Sequence, residues 1–227
     1  LRGYETILAT GGLTLDDVKL VEIPLGRTFI GETSDKTSQR GSLWGAPLMR
    51  GLQREEAFAL IRGEVDAFFA PGSLGVDLKP FLGAVTVVDL AETGDSEDVL
   101  NNPTLLAFTV EGALLDRRPE IVTAIVRATL EAAELAKVRR REALRVIAGE
   151  TALPEELVEV AYGEAITDRL TPELSDSFLD RLDRQTDFLL KNGFIARRVP
   201  HAEWVEPRPL QEASRAIGAG GLERKAS

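Results

Sequence analysis

The pattern of polar and apolar positions changes period within LIRGEVDAFFAPG, residues 60–72. Charged Arg54, Glu55 and Glu56 lead into apolar Phe58, Leu60 and Ile61, which predicts a helix over 54–61. Gly63 can end it, because a left-handed cap costs glycine nothing. Val65, Ala67, Phe68 and Phe69 then form a short apolar run bounded by Gly63 and by Pro71-Gly72, the pattern of a strand buried on both faces. The loop after such a strand opens at the carboxyl edge of a parallel sheet, where open α/β folds bind ligands. An ordinary helix–strand unit with no ligand fits the same pattern.

The same reading extends along the chain. Residues 4–10 predict the back of a helix that stops at Gly11-Gly12, followed by a turn and a strand over 18–23 halted by Pro24. Segments 85–90 and 103–110, rich in β-branched and apolar residues, read as further strands, separated by an acidic loop over 91–102. From there the pattern is helical. Pro119 suits a first turn, and Val122, Ile125, Val126, Thr129, Ala133 and Ala136 give one apolar face over 119–138. A second helix carries Leu144, Val146 and Ile147, a third covers 154–161 and a fourth 175–191, the last ended by Asn192-Gly193. The tail, 211–227, is expected to fray. Mixed elements before residue 110 and helices after 116 leave the helical part without a sheet of its own to cover.

Residues 25–52 form a long polar stretch punctuated by Gly26, Gly31, Gly41, Gly45 and Gly51, yet it carries Phe29, Leu43, Trp44, Leu48 and Met49. Structureless loops longer than about 12–15 residues are uncommon in compact domains. Two readings stand: an insert folded over a cleft, or a surface loop whose aromatics pack on the nearest helix.

Composition narrows the chemistry. The 227 residues carry a formal charge of −10, with 44% hydrophobic and 28% charged residues, so the chain can bury a core and repels nucleic acid. It has no cysteine, which excludes disulfides, thiolate zinc sites and a cysteine nucleophile within this chain. The only histidine, His201, cannot build a metal site alone. No apolar stretch approaches the ~20 residues of a membrane span. The first residue is Leu1 rather than Met, as in a fragment or a processed product.

Six pieces occur in order: GGLTLDDVKLVEIP (11–24), ALIRGEVDAFFAPG (59–72), VVDL (87–90), RPEIVTAIVRATLEAAELA (118–136), QTDFLLKNGFI (185–195) and WVEPRPL (204–210). Their order resembles the solute-binding proteins of ABC importers for nitrate, taurine and aliphatic sulfonates. The resemblance implies an α/β fold of the type II periplasmic-binding-protein kind, with two lobes and an N-terminal truncation. Residues 1–103 would be the second lobe with its insert, 104–112 a hinge strand, 113–210 the C-terminal helices of the first lobe and 211–227 a flexible tail. It implies a small, anionic organic solute held between the lobes, a periplasmic or extracytoplasmic setting, an ABC permease as partner, and neither cofactor nor metal. The long insert departs from the plain importer pattern and is similar to that of sulfinate desulfinases. Those enzymes hydrolyse an aryl sulfinate with a Cys, a His and an Arg from their N-terminal portion. No residue here matches those three, so the alternative is a cytoplasmic desulfinase-like hydrolase with its catalytic residues upstream.

Candidate ligand contacts follow from the chemistry of anion capture, which uses arginines, amide donors and helix N-termini. Phe69, Ala70, Pro71, Gly72 and Ser73 rank first, because this loop contacts ligand in the importer proteins. Trp44 and Arg50 in the insert would supply a wall for an organic group and a cation for an oxyanion, or else packing and solubility. Asn101 and Asn102 would donate amide hydrogen bonds, or simply turn the chain before Pro103. Arg2, near the start of the first helix, completes the set, with a solvent-exposed arginine as its alternative. No residue is assigned a catalytic role.

Overall fold

The computed structural model describes residues 2–23, 46–70, 72–89, 107–151 and 153–220. Its helices are α1 (Arg2–Thr10), α2 (Ala46–Ile61), α3 (Gly72–Leu82), α4 (Gly112–Arg117), α5 (Pro119–Val138), α6 (Arg140–Thr151), α7 (Glu155–Tyr162), α8 (Asp176–Lys191), α9 (His201–Trp204) and α10 (Arg208–Gly220). Single 3₁₀ turns lie at Leu15–Asp17 and Ile166–Leu170.

The helices form where the sequence carries start and stop signals. In α5, Pro119 takes the first turn with Glu120, and Lys137 sits in the last turn, each placed to suit the helix dipole. In α8 the Ser175 hydroxyl accepts the Phe178 N–H at 3.2 Å, relieving one orphan donor. Helix α2 ends as its glycine predicts: Gly63 adopts φ +68°, and the Glu64 N–H reaches back to the Ala59 carbonyl at 2.9 Å. That helix starts at Ala46 rather than at Arg54, so the end of the stretch read as a polar insert is helical. Pro47 stands in its first turn, where the missing N–H costs nothing. Of the insert 25–52 that would fold over a cleft, residues 25–45 lie outside the described residues.

The α/β expectation is not met: among the described residues no strand forms. Segments 18–23, 65–69 and 85–89 are irregular, and of the expected hinge, residues 107–111 are irregular while Gly112 already begins α4. A strand exists only through its ladder. A short β-branched run announces apolar character, and it supplies no neighbour to pair with. Val85 and Val87, read as the buried strand 85–90, are each 84% exposed. The two-lobed, sheet-centred fold is therefore corrected to a helical one.

The chain divides into two compact units. Unit 1 comprises residues 1–103 and 143–164. Its core gathers Ala148, Leu153 and fully buried Val158, with Leu144, Ile147, Leu157, Ala161 and Tyr162 packed around them. Helix α3 lies on α7 and also meets α2, whose Ala57 and Ala59 are buried. Unit 2 comprises residues 104–142 and 165–227. Here α10 packs along α5, which also meets α4 and the turn at Ile166–Leu170. Small buried residues, Ala133 and Ala136 on α5 and Ala213 on α10, let helices approach closely. Thr167, buried in that turn, accepts a hydrogen bond from Arg140 Nη1 at 2.9 Å.

Two substitutions test this packing. Val158→Ala removes two methyl groups from a site with no exposure and is expected to lower stability by about 2 kcal/mol. Ala213→Leu overfills the seam between α10 and α5 and is expected to cost about 1–3 kcal/mol. Urea denaturation midpoints at constant slope check both.

Candidate functional site

Phe69 and Ala70 end an irregular segment, Gly72 and Ser73 open α3, and unit 1 holds Phe69, Ala70 and Gly72 from several sides. The Phe69 N–H donates to the Tyr4 hydroxyl at 3.2 Å, a bond between residues 65 apart in sequence. The two rings meet edge to face, with centroids 6.2 Å apart and planes at 62°. Gly3 lies directly beneath: a methyl group added there would sit 3.3 Å from the Phe69 ring. At the other end Gly72 adopts φ +47°, and a methyl group there would come within 3.3 Å of the Tyr162 ring. Gly75 approaches the Ala70 carbonyl so closely that a methyl group would lie 3.0 Å from its oxygen. Tyr4 and Tyr162 are the only tyrosines of the chain, and both flank this short loop.

Electrostatics follow from burial. The Glu56 carboxyl on α2 is half buried, and desolvation raises its pKa. The Tyr4 hydroxyl is also raised, first by burial and further by the charge of Glu56, against the lowering effect of the Phe69 N–H. Helix α3 opens at Gly72-Ser73 with no acidic residue in its first turn, so its N-terminal dipole end meets no carboxylate from that turn. This part of unit 1 thus combines aromatic edges, a phenol, a carboxyl that holds its proton to higher pH, and amide donors suited to an anion.

Of the candidate residues, Phe69, Ala70, Gly72 and Ser73 lie together here, and Arg2 opens α1 one residue before Gly3. Thr6 Oγ1 donates to the Arg2 carbonyl at 3.1 Å. Arg50 belongs to α2, with its side chain outside the described residues, as are Trp44, Pro71, Asn101 and Asn102 altogether. The sequence reading missed Tyr4, Glu56 and Tyr162. Their signal was faint: two tyrosines in 227 residues, standing 158 positions apart, and one glutamate among several in a charged helix start.

Unit 2 offers a weaker candidate, a cavity of about 180 Å³ between Leu115, Asp116, Pro119, Thr123, Arg208 and Glu212. Arg208, Thr123 and Glu212 in its wall already have partners. Arg208 donates through Nε and Nη2 to the two oxygens of Glu206, at 2.8 and 2.6 Å, and holds that carboxyl down to about 2. Thr123 Oγ1 donates to Glu212 at 3.1 Å. His201 lies 3.3 Å from Asp183 and edge-on to Trp204. Among the described residues no acidic or histidine cluster could hold a metal ion, and no helix is long and apolar enough to cross a membrane.

No protein-family model matches the chain. Curated relatives do. The chain is 28% identical over 206 residues to the 2'-hydroxybiphenyl-2-sulfinate desulfinase of Rhodococcus erythropolis, a match covering 91% of this chain and 54% of that enzyme. The enzyme of that name from Rhodococcus qingshengii matches to the same extent. Among solved structures, that of the desulfurization enzyme DszB superposes with a TM-score of 0.71 at 26% identity, covering 91% of this chain and 57% of the other. A DszB variant with a cysteine replaced by serine, in complex with biphenyl-2-sulfinic acid, gives 0.69 at 23%, a likeness of fold alone. The chain spans about half the length of the curated relatives it matches.

The chain is similar to desulfinases. That overturns the resemblance to importer solute-binding proteins, and with it the transport role and the ABC permease partner. The periplasmic-binding-protein reading of the fold falls with it, since the structural neighbours found are of the desulfurization enzyme.

The raised pKa of Glu56 carries a sign. A carboxyl whose folded pKa lies above its unfolded value stabilises the fold fully below about 4.5, and the contribution is lost as pH rises through the folded value. Glu56→Gln is therefore expected to unfold at higher urea than the parent at pH 7, with the difference closing as pH falls toward 4. Paired urea titrations across that range check it.

Proposed function

We propose that this chain forms part of a desulfinase-like enzyme that cleaves the carbon–sulfur bond of an aryl sulfinate. The observation that carries the reading is the match of 91% of the chain to 2'-hydroxybiphenyl-2-sulfinate desulfinase, in sequence and in fold. The balanced reaction converts an aryl sulfinate anion and water to an arene and hydrogen sulfite. It requires that the aromatic ring be held, that the sulfinate charge be met, and that a proton reach the ring carbon as the bond to sulfur breaks.

Unit 1 supplies groups suited to the first two demands. Phe69 and Tyr4 offer aromatic edges. The N-terminus of α3, with no acid in its first turn, suits a small anion. The third demand is not met by a thiol here, because the chain contains no cysteine. A thiol-dependent reaction would draw that group from polypeptide matching the part of the relatives' length that this chain does not span, upstream on the desulfinase alternative. The cytoplasmic setting accompanies this reading.

Isothermal titration with biphenyl-2-sulfinate tests it. Saturable one-to-one binding is expected, weakened at least tenfold by Phe69→Ala and not displaced by taurine or nitrate. Absence of saturable binding, or displacement by taurine, would overturn the assignment.

A further inference from the structure

A loop with no ladder on either side must find acceptors for its N–H groups elsewhere. At Phe69 the acceptor is a side chain, the Tyr4 hydroxyl, brought from α1. The surrounding backbone is shaped to keep that geometry. Gly3 gives the Phe69 ring room against α1, and Gly75 lets α3 turn back onto Ala70. Gly72 holds a left-handed conformation against Tyr162. Three close approaches and one long-range hydrogen bond thus hold Phe69, Ala70 and Gly72, the kind of restraint that preorganised sites use.

We propose that Tyr4 is a positioning residue that sets the aryl selectivity of the site, by pinning the Phe69 backbone so that its ring stands as a fixed wall for the aromatic part of a sulfinate. The inference rests on the desulfinase-like reading and adds to it the residue that distinguishes aryl from alkyl sulfinates. Tyr4 acts through Phe69 and touches no reacting atom. Its phenol spends a lone pair on the Phe69 N–H, while its ring edge limits the tilt of the Phe69 ring. Removing the oxygen alone would free the loop and leave the aromatic packing in place. An aryl ligand, which depends on the wall, would then lose affinity. A methyl sulfinate, which depends on the anion-binding groups, would not.

The test compares the parent chain with Tyr4→Phe, using biphenyl-2-sulfinate and methanesulfinate as probes in isothermal titration, with amide hydrogen exchange read at Phe69. Tyr4→Phe is expected to exchange the Phe69 amide about tenfold faster and to weaken biphenyl-2-sulfinate about tenfold, the worth of one ordinary hydrogen bond, while methanesulfinate binding changes less than twofold. Gly3→Ala, which pushes on the same ring without touching the hydroxyl, is expected to shift selectivity in the same direction. Equal weakening of both probes, or unchanged biphenyl-2-sulfinate binding despite faster exchange, overturns the positioning role. A parent chain that binds neither probe overturns the desulfinase-like reading itself, which separates the two failures.

Discussion

A backbone N–H that meets no ladder must be satisfied by some other acceptor, and at Phe69 that acceptor is the hydroxyl of Tyr4. Much of unit 1 is arranged around this bond. Helix α1 has to lie close enough for its second residue, Gly3, to pass under the Phe69 ring, which no residue with a side chain would allow without movement. Helix α3 has to start in a left-handed turn at Gly72, because Tyr162 of α7 occupies the space beside it. The contact between α3 and α7 then carries the constraint into the core of Val158, Leu153 and Ala148. A local hydrogen bond is thereby coupled to the best-buried part of the unit.

Unit 2 solves a simpler problem. Its long helix α5 is specified by its own caps and apolar face, and α10 lies along it through alanines instead of interlocking large side chains. Ion pairs decorate the outside. Arg198 bridges Asp183 and Asp187, and Lys137 meets Glu134, on side chains at least a third exposed, where such pairs contribute little. Arg208 and Glu206 form a two-pronged pair at the start of α10, which orders the entry into the helix and engages the arginine that lines the cavity.

What the sequence shows follows the range of the interactions involved. Helices with local signals were legible: the proline of α5, the serine cap of α8 and the glycine stop of α2 all act within a few residues. Helix α3 was not, because Gly72, Gly75 and Pro80 each weaken helical propensity and are kept for packing and turning. The expected strands failed for the opposite reason. Their β-branched runs were real, but pairing depends on a neighbour that a one-dimensional pattern cannot supply. At the candidate site, Gly72 and Ser73, read as loop, already open α3. Tyr4, Glu56 and Tyr162 were not legible, since only the fold brings residues 4, 56 and 162 to that site.

The same distinction explains why the motif order resembled a transport protein while the matching relatives are enzymes. The six ordered pieces are mostly helix faces and turns, and such pieces report how a chain packs. Chemistry resides in a few side chains at particular places. Here the thiol is missing from the composition: no cysteine is present, and the single histidine sits in the short helix α9 beside Asp183 and Trp204. On the proposed reading, the residues of this chain hold and orient a substrate and leave bond cleavage to groups not among its 227 residues. Orientation is itself a large part of such a reaction, because the proton must reach the ring carbon perpendicular to the ring plane while the bond to sulfur turns out of that plane to break. A loop held by a phenol, three close glycine contacts and a helix start is physically suited to that task.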